Sequence, residues 1–171
     1  MFFFKLFAYL ALALIGLTAI VFALGQFNFL RGTPAAPLGV QQGRLAPPSP
    51  TPNSASSQAG LYPNHPQAAY AAVAPFAPRA GESGPAALQR LADLLLQQTG
   101  TRLTQHTDGY VRAEATTRWL RFVDDVELWL DPATGLVHVR SASRLGRKDF
   151  GVNRARVEAL RAAFLAAKAT P

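Results

Sequence analysis

The chain has no cysteine among its 171 residues. Disulfides, thiolate nucleophiles, cysteine-ligated zinc and iron–sulfur clusters are therefore excluded. The absence leaves compartment open, because oxidising and reducing spaces both accommodate cysteine-free domains. Acids are scarce as well: 10 Asp and Glu stand against 17 Lys and Arg, a formal charge of +7. That balance points to anionic partners. Only 16% of residues are charged, however, and no nucleic-acid-binding motif is present. Anionic lipid or a cell-envelope polymer fits better than nucleic acid. Nothing in the sequence calls for a cofactor.

One long stretch lacks charge altogether. Between Lys5 and Arg31 the chain reads LFAYLALALIGLTAIVFALGQFNFL. As a helix those residues span roughly 37 Å, enough for a bilayer core of about 30 Å. A signal peptide carries a shorter apolar core of about 7–15 residues. Ala23-Leu24-Gly25 would serve as a cleavage site, but the length favours a retained anchor over residues 1–30. No twin arginine or lipidation cysteine is present. Lys5 on one side and Arg31 and Arg44 on the other leave the positive-inside count nearly balanced.

Residues 31–51 turn to Pro, Gly, Ala, Ser and Gln, with prolines at 34, 37, 47, 48 and 50. Such a composition buries too little apolar surface to offset its ordering entropy and reads as an extended tether. Residues 52–171 suffice for one core. Ser83 followed by Pro85 starts a helix whose Leu88, Leu91, Ala92 and Leu95 recur at helical spacing until Gly100. Val111, Ala113 and Ala115 then alternate with Tyr110, Arg112 and Glu114, as in a half-buried strand.

DDVELWLDPATGLVHVRSAS, from Asp124, reads as a hairpin turning at Asp131–Gly135. Its register follows from burial, since a one-residue slip would turn one apolar set to water. Val126, Leu128 and Leu130 share a face with Val137 and Val139, so Trp129 faces His138 and Glu127 faces Arg140. Asn153 caps a final helix reaching Ala167, with Val157, Leu160, Phe164 and Ala167 inward. Helix, three or four strands, helix implies an α+β two-layer sandwich, an antiparallel sheet with helices on one face.

RSASRLGRKDFGVNRAR, residues 140–156, holds six basic residues and one acid. Two readings compete. In the first, Asp124, Asp125, Glu127 and Asp149 form an ion-pair network with Arg140 and Arg156. In the second, Arg144, Arg147, Lys148 and Arg154 project into solvent and hold an anion, helped by backbone amides near Gly151 and Asn153. The expectation is a division of labour along those lines. A metal on Asp125, Glu127 and His138 is disfavoured, because arginine competes for the carboxylates and too few ligands gather. A triad of Ser141 or Ser143 with His138 and Asp125 lacks the nucleophile-elbow context. Trp119 and Phe122 are expected to pack in the core or at its edge.

Two segments together, DDVEL at 124–128 and the run 140–156, resemble the domain-of-unknown-function 1499 family. The matching pattern is an acidic pair before a strand, then Arg140-Ser141-x-Ser143-Arg144, and Gly146, Asp149, Gly151, Asn153, Arg154 and Arg156. PNSASSQA from Pro52 is similar to the family's opening element, with Ser54 where the family usually has cysteine. The resemblance covers about residues 52–168 and implies a bacterial envelope or plastid location. It brings no known activity. Together these readings describe a single-pass inner-membrane protein with a periplasmic domain acting as an accessory or binding module for anionic lipid head groups or an envelope protein. The alternative is an envelope hydrolase or transferase that holds an anionic substrate on the basic loop.

Overall fold

In the computed structural model, residues 1–34 and 36–166 are described. Helix α1, Phe2–Gln26, precedes a five-stranded antiparallel sheet. The strands are β1 (Ser54–Ser56), β2 (Thr101–His106), β3 (Tyr110–Thr116), β4 (Val123–Leu130) and β5 (Val137–Ser143), in the spatial order β1-β5-β4-β3-β2. Short helix α2 (Ala68–Ala71), α3 (Gly84–Leu96) and α4 (Val152–Ala166) complete the fold. It is α+β, as expected. Two strands escaped the sequence reading: β1, too short to show a period, and β2, an edge strand whose register shifts between Leu103 and Gln105.

The core lies between the sheet and α3 and α4. Val111, Ala113, Val126, Leu128, Val137 and Val139 give it a floor, and Leu88, Leu91, Leu95, Val157, Leu160 and Phe164 close it. Phe76 meets Phe164 edge-to-face with ring centres 5.6 Å apart. Ser83 caps α3 through a bond from the Ala86 amide, with proline in the first turn. The hairpin has the register that burial requires: Leu128 lies opposite Val139, Glu127 opposite Arg140 and Trp129 opposite His138. The Asp131 amide donates to Leu136 O at 2.9 Å to close the turn.

Asn153 departs from its expected role. It sits inside the first turn of α4, and Asp149 caps the helix by accepting from the Gly151 and Asn153 amides, each at 3.0 Å. The expected last turn at Ala167 lies outside the described residues. The proline-rich segment also differs from an extended tether. Gly32 lies against Arg144 and Leu145, and further on the Gly39 amide donates to Glu127 Oε1 at 2.7 Å. The chain reverses at Gln42–Gly43, where both residues have positive φ and Gly43 lies near Trp129. On the way back the Leu45 amide donates to Gln58, Pro47 O accepts from Arg140, and the Ser49 amide donates to Ser54. Residues 38–49 thus form a strap over the sheet face opposite the helices, and its Leu45 is 1% exposed. Composition predicted a tether because the segment alone lacks apolar area. Its ordering comes from amides that find side-chain acceptors on the sheet and just after β1.

Helix α1 is long and apolar enough to cross a membrane, as a retained span or as a signal sequence. Its only buried residue is Gly25. A Cβ there would stand 2.6 Å from the Leu120 carbonyl oxygen, so only glycine allows the helix end to touch the β3–β4 connection. Gln26 Nε2 donates to Trp119 O at 2.9 Å beside it.

Candidate functional site

Strand alternation separates the charged residues into two groups. Arg112, Glu114, Asp125, Glu127 and Arg140 point to the strap side, while Asp124, one residue from Asp125, points to the helix side. On the strap side Glu127 is fully buried. Its Oε1 accepts from the Tyr110 hydroxyl and the Gly39 amide, each at 2.7 Å, and its Oε2 meets Arg140 Nη1 at 3.4 Å. Burial first, and then the neighbouring Glu127 carboxylate, push the Tyr110 hydroxyl pKa well above its ordinary value.

Arg144 was expected in solvent. Its side chain is 7% exposed. The position continues the strap-side parity of β5 beyond Arg140, which brings its fork onto Asp125 by two bonds of 2.8 Å and onto Glu114 at 2.6 Å. Those bonds raise its pKa despite burial. Glu114 also accepts from Arg102 at 2.6 Å and Arg31 at 2.7 Å. Burial opposes ionisation of Glu114, but the bonds from Arg144 and Arg102 outweigh it and hold the carboxyl below its ordinary value. Glu114, Arg102, Arg112 and Arg31 were not singled out in the sequence. The signal for two of them was present: the hairpin register extended to β3 sets Arg112 opposite Glu127 and Glu114 opposite Asp125.

On the helix side Arg156 reaches Asp124 at 2.7 Å and also donates to Asn153 Oδ1 and Ser141 Oγ. Ser141 donates to Asn153 Oδ1 at 2.6 Å, and Asn153 is fully buried. Asp149 was expected to neutralise an arginine. Instead it accepts from Tyr70 at 2.7 Å and from the start of α4. Burial disfavours its charge, but these donors overcome that and lower its pKa. Arg154 was also expected to be free. Its guanidinium donates to the Tyr70 and Ala72 carbonyls at the end of α2, where helical carbonyls lack partners.

Arg147 and Lys148 remain at the surface, on a tip that also carries Leu145, Phe150 and Val152. Phe150 is 93% exposed and holds φ 52°, a conformation that bulky side chains adopt at a cost. Trp119 is exposed rather than core-packed: it is 64% accessible beside the end of α1, with Arg118 5.0 Å from its ring centre.

The residues considered for a triad do not meet. Ser141 lies on the helix side and Asp125 on the strap side. His138 stacks on Trp129 and bonds Ser57 at 3.0 Å, with Asp131 4.0 Å from its other nitrogen. The Ser57 oxygen already accepts from the Val139 amide at 2.9 Å, so it is tied into the sheet. Burial lowers the His138 pKa, with Asp131 opposing. Among the described residues no group of three or more His, Asp or Glu could hold a metal ion.

A family model described as a protein of unknown function, DUF1499, matches residues 44–164. The chain belongs to this family. The match begins within the strap and ends in α4, so it takes in both halves of the charge network. No curated protein and no solved structure matches the chain.

Proposed function

We propose that this DUF1499 protein is a membrane-anchored binding module, not an enzyme, which rests one end of its sheet on the bilayer and engages anionic lipid head groups there. The observation that carries the reading is positional. The end of α1, the β3–β4 connection and the loop after β5 gather at one end of the sheet, where Gly25 meets Leu120 and Gly32 meets Leu145. Arg147 and Lys148 therefore stand near the exit of α1, beside the exposed apolar side chains of Leu145, Phe150 and Val152. Cations with exposed apolar groups at one surface suit an interface with anionic lipid. Arg144 and Arg154 drop out of the binding set and serve the scaffold. We place the domain on the periplasmic side of a bacterial inner membrane, a location that rests on the family's envelope association. The hydrolase or transferase alternative needs an uncommitted nucleophile or base beside the loop, and the serines nearest to it, Ser141 and Ser143, are bonded to Asn153.

The full chain in nanodiscs tests this by hydrogen–deuterium exchange over residues 144–152. Exchange slows in anionic discs relative to zwitterionic ones, and the difference shrinks in Arg147→Gln/Lys148→Gln and as salt is raised. Identical exchange in both lipids would reject the reading.

A further inference from the structure

A second cationic feature lies at the same end of the sheet and takes no part in that loop. It is a cleft of about 730 Å³ between the segment leaving α1, the start of β2 and the β3–β4 connection. That volume falls within the roughly 300–1,000 Å³ of small-molecule sites. Five arginines line it: Arg31, Arg102, Arg118, Arg121 and Arg156.

Among the described residues their carboxylate partners are only two. Arg31 and Arg102 share Glu114, which Arg144 also uses, and Arg156 takes Asp124. Arg118 and Arg121 have no carboxylate among the described residues; one lies over Trp119 and the other bonds the Asn28 side chain at 3.3 Å. Both guanidiniums therefore keep N–H donors that no carboxylate takes, and those donors can serve an anion in the cleft. Arg121 is also kept at φ 55°, a left-handed conformation that tends to persist where a site requires it. The guanidinium fork matches phosphate oxygens in pairs, and the surplus of positive charge suits a doubly charged group. Asn28 and Arg31, which follow α1 directly, form part of the wall. The mouth therefore opens where a lipid head group lies if α1 spans the bilayer.

We infer that this cleft binds the phosphate of one membrane lipid, with a phosphomonoester head group preferred. The inference rests on the membrane placement proposed above but uses different residues. Native mass spectrometry of the full chain released from nanodiscs reads the number of retained lipids. One phosphatidic acid is retained and phosphatidylcholine is not. Arg118→Gln/Arg121→Gln weakens retention by about tenfold or more, as expected for losing charge-assisted bonds. Arg44→Gln, at an exposed strap arginine outside the cleft, leaves it unchanged. Equal retention of phosphatidylcholine, or full retention by the double variant, overturns the site. Displacement of the lipid by millimolar inorganic phosphate overturns the lipid source and assigns the cleft to free phosphate. Slowed exchange over residues 144–152 with no retained lipid overturns the cleft and leaves the binding module standing. A retained lipid with no slowing overturns the part given to Arg147 and Lys148 and leaves the cleft standing.

Discussion

Glu127 joins three elements through one carboxylate: β3 through Tyr110, β5 through Arg140 and the strap through Gly39. Glu127→Gln keeps the shape but turns one acceptor oxygen into a donor, which then faces a hydroxyl, an amide or a guanidinium. Breaking a buried pair from one side costs about 3–5 kcal/mol, because the remaining charge is stranded. Chemical denaturation of Glu127→Gln should show a loss of that size, and Arg140→Ala a similar one. Arg147→Ala/Lys148→Ala should stay within about 0.5 kcal/mol of the parent, since both side chains are exposed and touch nothing that folding needs. Destabilisation by the loop pair with Arg140→Ala neutral would invert the assignment. Leu128→Ala is expected to cost about 2–5 kcal/mol, because the side chain is fully buried against Val139.

At the scale of elements, the strap and the end of α1 are the features to probe. The Gly39, Leu45 and Ser49 amides all donate to buried or partly buried side-chain acceptors. They should exchange slowly with deuterium, whereas a free tether would exchange at once. The β4–β5 hairpin was legible in the sequence because burial fixes parity and parity fixes register. The same rule, carried one strand further, would have found Arg112 and Glu114, and would have moved Arg144 from the solvent to Asp125. The strap was not legible. Its order comes from amides bonded to side chains at separations of 5, 13 and 88 residues, and composition carries no trace of that. Arg154 was missed for a related reason, since its acceptors are two carbonyls at the end of a four-residue helix. Trp119 was misplaced because an aromatic next to a strand normally packs inward, and here it stands beside an apolar helix.

For the whole molecule, the perturbed groups define an acid-sensitive fold. Burial holds His138 below its ordinary value of 6.5, and Glu114 and Asp149 lie below 4.5 and 3.8. In each case the unfolded chain binds protons more readily than the folded one, so stability falls as pH falls. His138 contributes a loss beginning near pH 6.5 and continuing to its depressed folded value. The carboxylates contribute stability that is complete above their unfolded values and is lost as pH drops through the folded ones. Melting temperature should therefore decline in two stages on acidification. His138→Phe should remove the upper stage and keep the lower. A melting temperature that rises between pH 7 and 5 would contradict the burial of His138.

The folded strap also limits reach. Residues 31–51, drawn out at about 3.1 Å each, would let a domain roam roughly 65 Å from its anchor. Residues 38–49, laid out and back across the sheet, return the chain to the end from which it set out, and Gly25 and Gln26 hold that end against the β3–β4 connection. If α1 spans a membrane, a domain attached in this way samples a disc rather than a hemisphere. It would meet lipids and neighbouring membrane proteins by lateral diffusion, and a partner fixed across an aqueous gap would have to travel to it.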